Sequence, residues 1–184
     1  MLRSFRFILL FLFFTSSLIG QTLDISITRG TDLDFTFNTI RQYINGVVVP
    51  NATEFLVEST VEWDLYVGTQ TNVPGQWDLL TSYASAGSSS VPVSILEIRA
   101  TSPGGTSQQA AFVPLQDISN PVYVIGSGAD DILTSSGVGT NAPGDPVNDA
   151  FTHRFRIDYR LIPGMGYTPG VYSLTVVFTL AEDL

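Results

Sequence analysis

The chain has 184 residues, with 17 acidic side chains against 8 basic ones and a net charge of −9. It contains no cysteine, which excludes disulfides, thiol nucleophiles, cysteine-ligated zinc and a lipid-modified cysteine behind a leader. All eight basic residues are arginine, and the acidic balance argues against nucleic acid or an anionic membrane surface as a partner, because both reward positive charge.

The first twenty residues read as an export leader. Arg3 and Arg6 supply a positive start, "FILLFLFF" from Phe7 to Phe14 an apolar centre, and "TSSLIG" a small-residue approach to Gly20. The apolar run falls short of the ~20 residues a membrane-spanning helix needs, so no transmembrane segment is expected. Residues 1–20 are therefore assigned to a signal peptide and 21–184 to a single domain, long enough to bury a core without disulfides.

From Gln21 onward the residues favour strands. Val, Ile, Thr, Tyr and Phe alternate with polar residues in short runs, separated by Gly, Pro, Asn and Ser. "LDISIT" and "LDFTF" are the first two strands, joined by a turn at "RGTD". Asn45-Gly46 and Pro50-Asn51 are turn signals. "EFLVES" and "VEWDLYVG" follow, with Trp63, Leu65 and Val67 on one face. A Pro74-Gly75 turn precedes the strand containing Trp77 and Leu79.

In "VPVSILEIRA" the alternation breaks near Ile95, which predicts a bulge or a strand buried on both faces. "SPGGTS" is a tight turn, and "QQAAFVPLQ" and "NPVYVIGS" are short strands. Residues 127–149 then lack periodicity, as a functional or mobile loop does. "FTHRFRIDYRL" places Phe151, His153, Phe155, Ile157, Tyr159 and Leu161 on one face. "VYSLTVVFTL" places Tyr172, Leu174, Val176, Phe178 and Leu180 inward, next to the 151–161 strand. Eight to ten strands in two sheets are expected, an all-β sandwich of immunoglobulin-like or jelly-roll type. No helix is required, although 115–119 and 129–134 would admit a short one.

Chemistry-bearing residues are few. His153 is the only histidine and lies inside a strand pattern; neither a G-x-S-x-G elbow nor an H-E-x-x-H motif occurs, so no catalytic residue is assigned. Arg154, Arg156 and Arg160, with Asp158 between them, form a stripe that would grip a carboxylate or, as a solvated face, make cross-strand ion pairs. Asp130, Asp131, Asp145 and Asp149 are oxygen ligands that would suit calcium, and equally turn formers; their spacing does not match a calcium loop. Trp77 and Tyr66 are candidates for stacking on a sugar ring. Carboxylates are numerous, but none is singled out as a glycosidase pair. No cofactor is expected.

Two segments carry a resemblance. Trp63-Asp64-Leu65 in "VEWDLYVGT" and the closing "GVYSLTVVFTLAEDL" resemble the two motif regions of WxL domains, with Phe178-Thr179-Leu180 at the second W-x-L position. The chain is also similar to secreted pilin-type sandwiches of the spore-coat-U kind, which end on a hydrophobic strand but usually contain a disulfide. The resemblance implies a non-catalytic bacterial surface sandwich that associates with like subunits or the envelope. It places the protein outside the cell or on its surface, with the periplasm as the alternative compartment. A carbohydrate- or ligand-binding module is the second expectation, and a carboxylate-based hydrolase the third.

Overall fold

The computed structural model describes residues 20–102, 109–126 and 141–183. The leader up to Ile19, the pair Asp130 and Asp131, and the 129–134 segment lie outside the described residues. Ten strands occur among those described: β1 Leu23–Arg29, β2 Val47–Ser59, β3 Trp63–Gln70, β4 Asp78–Ser82, β5 Leu96–Thr101, β6 Val113–Pro114, β7 Val122–Ile125, β8 Arg154–Leu161, β9 Gly170–Ser173 and β10 Thr175–Glu182. Two short helices, α1 Ile40–Asn45 and α2 Ala150–His153, complete the set with one 3-10 turn at Val93–Ile95.

The chain is an all-β sandwich. One sheet has the order β1-β2-β8-β5-β6 and the facing sheet β10-β3-β7; β4 and β9 form a two-stranded ribbon. All pairings between these strands are antiparallel. Strict alternation sets the first sheet's inner face. Phe55 of β2 lies opposite Phe155 of β8, and Tyr159 and Leu161 lie opposite Ile98 and Leu96 of β5. Trp63, Leu65 and Val67 of β3 answer from the other sheet, all fully buried. Phe55 joins the layers: its ring lies 5.4 Å from Phe155 in its own sheet and 5.2 Å from Phe178 of β10.

β3 is covered on both faces. Asp64, Gly68 and Thr69 are buried along with its apolar row. A Cβ on Gly68 would sit 2.5 Å from the Ile118 backbone, so only glycine lets that segment cross the strand.

Several expected elements are placed differently. Asn45-Gly46 is not a hairpin turn: Thr39 and Gln42 form a capping box that starts α1, and Gly46 (φ 78°) ends it. Pro50-Asn51 does not separate strands. It lies within β2, where the register against β8 shifts between Val49 and Thr53 and Asn51 takes φ 49°. "LDFTF" pairs with no strand among the described residues, yet Phe35 and Phe37 pack on the core, so its alternation reflects burial without a ladder. The irregularity near Ile95 is the 3-10 turn, and 115–119 contains no helix.

The closing segment is two strands. β9 pairs with β4 and β10 with β3, so the last strand joins the sheet facing β8 rather than pairing with it. The break falls at Leu174, between the partners of the two ribbons. β8 begins at Arg154; Phe151, expected inward, is 67% exposed on α2.

The strands run between two ends. Ser59, Trp63, Arg154 and Glu182 gather at one, where Trp63 lies against His153 and Phe155. Val47, Gln70, Leu161 and Thr175 gather at the other.

Candidate functional site

The stripe lies on the outer face of β2, β8 and β5, where alternation turns polar residues away from the core. Glu54 of β2 stands opposite Arg156 of β8, and Glu97 and Arg99 of β5 opposite Arg160 and Asp158. Register therefore converts spacing into ion pairs. Arg156 Nε donates to Glu54 Oε2 at 3.1 Å, and Arg160 Nε donates to Glu97. Arg99 Nε donates to Asp158 Oδ2 at 2.9 Å, while the Asn51 amide donates to Asp158 Oδ1 at 2.6 Å. Asp158 is buried with both oxygens occupied. Phe112 supports the row, its ring centroid 4.8 Å from the Arg99 guanidinium and 4.4 Å from that of Arg160.

The hydrogen bond from Arg156 holds the Glu54 carboxyl below its usual value. Arg154 differs from the other two arginines: it lies opposite Leu56, and its buried Nε has no hydrogen-bond partner. The stripe is thus a row of cross-strand pairs in which two of the three arginines already hold carboxylates.

Trp77 and Tyr66 do not form one platform. Trp77 is half-buried against the core, with its indole N–H enclosed and unpartnered and its amide donating to Val91 at 2.8 Å. Tyr66 points to the opposite side of β3 from Trp63 and Leu65, and its ring lies 5.4 Å from that of Tyr123. Tyr123 on β7 is a neighbour that sequence reading missed; only the β3–β7 register brings the two rings together.

The Asp145 and Asp149 carboxylates are engaged in a turn. Asp145 accepts from the amides of Val147 and Asn148 at 2.8 and 2.9 Å and from the Asn148 side chain at 2.7 Å, which lowers its pKa. Asp149 accepts from the Asp145 amide at 3.2 Å, and its carbonyl takes the amides of Thr152 and His153. These are the bonds of a turn leading into a short helix. Among the described residues no group of three or more His, Asp or Glu converges as a metal would require.

His153 does not stand mid-strand as its spacing suggested. It ends α2, wholly buried, with its ring 5.5 Å from Trp63 and Nδ1 2.8 Å from Thr152 Oγ1. Among the described residues Nε2 is enclosed without a hydrogen-bond partner, and burial lowers the imidazole pKa. Gly144 lies so close that a Cβ there would stand 2.7 Å from both the imidazole Cε1 and Asp149 Oδ2. Gly144 also exchanges two backbone bonds with Ser59, and Trp63 Nε1 donates to Ala142 at 3.2 Å. His153 packs the crossing of the 141–149 segment over the core and faces no open cleft.

No protein-family model matches the chain, and no curated protein matches it in sequence. The two segments that resemble the WxL motifs lie on neighbouring strands, Leu180 opposite Leu65 and Glu182 opposite Trp63. Among the described residues no helix is long and apolar enough to cross a membrane.

Proposed function

We propose that this protein is an exported, non-catalytic structural or adhesive sandwich of a bacterial surface, which associates with like subunits or with the envelope. The observation that carries the reading is β1. Among the described residues it pairs with β2 on one side only, at the edge of its sheet. Its core-side row is Leu23, Ile25 and Ile27, yet Leu23 is 37% exposed and Ile27 49%. An edge strand with an open ladder and an accessible apolar row is the surface that strand addition uses. The polar candidates favour the same reading, since the Arg156, Arg160, Asp145 and Asp149 side chains are spent on bonds within the molecule.

The test is deletion of Gln21 to Thr28. The shortened chain should keep its β-rich circular dichroism, lose assemblies larger than a dimer, and lose retention on envelope preparations. Unchanged assembly and retention would overturn the reading. Selective binding to a glycan array, removed by Tyr66→Ala, would replace it with the carbohydrate module.

A further inference from the structure

Two long stretches of the sequence are nearly free of charge. Between Asp64 and Glu97 the sequence holds a single charged residue, Asp78, and between Arg160 and Glu182 it holds none. The fold lays these two stretches side by side. β4 pairs with β9, the Tyr83 amide donates to Pro169 at 2.8 Å, and Thr168 Oγ1 donates to Gly87 at 3.0 Å. Asp78 is occupied by the Asn72 amide at 3.0 Å. The product is an arm continuing the β3–β10 pairing, with every residue from Leu80 to Ser90 exposed.

The arm's outward face carries three exposed apolar side chains among small polar ones. The register slips between Leu79 and Thr81, so Leu80 and Thr81 together lie opposite Val171 and share its side. Leu79 and Tyr172, paired across the ribbon, are half-buried. Leu80 is 63% exposed, Tyr83 69% and Val171 43%.

We infer that this face docks against the same face of a second copy of this chain, the two arms meeting about a twofold axis. The inference rests on the associating role proposed above and assigns its self-contact. Charge selects the occupant. Copies of the mature chain, without Arg3 and Arg6, keep 17 acidic against 6 basic residues and repel one another, with a screening length of ~8 Å at physiological ionic strength. The end opposite the arm gathers Asp24, Glu58, Glu62, Glu182 and Asp183. Beyond Asp78 the arm carries no charge, so an arm-first approach opposes the fewest like charges and keeps the two acidic ends farthest apart. A cationic partner would be drawn to the acidic end instead.

Sedimentation velocity of the purified mature chain at low and high sodium chloride tests the inference. A dimer is expected that tightens with salt, because screening removes the repulsion and leaves the neutral contact. Leu80→Asp and Val171→Asp should each weaken it at least about tenfold, a change of ~1.4 kcal/mol, with unchanged circular dichroism and melting. The chain lacking Gln21 to Thr28 should still dimerise.

Dimerisation that survives Leu80→Asp, or that weakens with salt, overturns the arm contact. So does a chain that stays monomeric at every concentration and salt. If such a chain is still retained by envelope preparations, only the arm contact falls; if it is not retained, the surface role falls with it. Binding of the arm to lipid vesicles in place of self-association also overturns the inference.

Discussion

The two ends of this sandwich have opposite characters. At the acidic end, side chains and backbone together lock segments distant in sequence: His153 and Trp63 pack ring against ring, Gly144 exchanges backbone bonds with Ser59, and Asn141 Nδ2 donates to Asp183 at 3.0 Å. Asp24 even stands directly opposite Glu58, a like-charge placement that costs stability. At the other end the charge-poor arm is held mainly by backbone bonds, and its apolar side chains face outward. Charge and burial are distributed separately here. The end rich in carboxylates is the better packed, and the charge-poor arm leaves apolar surface open.

Substitutions at the two ends should therefore behave differently. Removing Val171 onward deletes β10 and most of β9, the partners of β3 and β4. It exposes both strands and should abolish soluble folding, read by circular dichroism and recovery. A well-folded product would show the closing strands to be dispensable. Trp63→Ala at the acidic end should cost about 3–5 kcal/mol in chemical denaturation, the range for a large aromatic removed from a core. Leu80→Ser on the arm should change stability by less than about 0.5 kcal/mol, as surface substitutions do. Near-equal effects would erase the distinction.

His153 sharpens it through pH. Its folded pKa is lowered from the ordinary 6.5 by burial, so the unfolded chain takes up the proton first. The contribution of neutral His153 is complete above pH 6.5 and is lost as pH falls from there through the lowered folded value. His153→Leu should flatten the pH dependence of the denaturation midpoint in that window. Glu54, whose pKa is also lowered, contributes stability above its ordinary 4.5 and loses it only at lower pH. A slope between pH 7 and 5 that persists in His153→Leu would assign the dependence elsewhere. The smallest effect is expected on the charged face: Arg156→Gln breaks an ion pair that is half-exposed at the arginine and should cost less than about 1 kcal/mol, less again at high salt.

Much of the fold was legible. Alternation at Phe155, Ile157, Tyr159 and Leu161, and at Trp63, Leu65 and Val67, marked the inner faces because period two leaves no other arrangement of those side chains. Partner choice was not legible. A strand's sequence records which face is buried, and β10 has one whether it pairs with β3 or β8. The start of α1 is encoded in the Thr39–Gln42 capping box, while Asn45-Gly46, which by itself signals a hairpin, ends the helix. Of the candidate site, the cross-strand reading of the stripe described what register provides, and the turn reading of Asp145 and Asp149 described their bonds. His153 was misplaced because its alternation with Phe155 continued one step beyond the start of the strand. The neutral arm was visible as two uncharged stretches, but their adjacency is a property of topology.

The pairing of β3 with β10 and of β2 with β8 also fixes an order of events. Gln70 meets Thr175, and Val47 meets Leu161, so the central strands of both sheets wait for partners from the final third of the chain. Contacts so distant in sequence make folding slow and late, since loops must close before any burial rewards them. Among the described residues, a chain released from its N-terminus forward holds only the β1–β2, β3–β7 and β5–β6 pairings until β8 emerges. The final third of the chain thereby supplies the contacts that join the open hairpins into two closed layers.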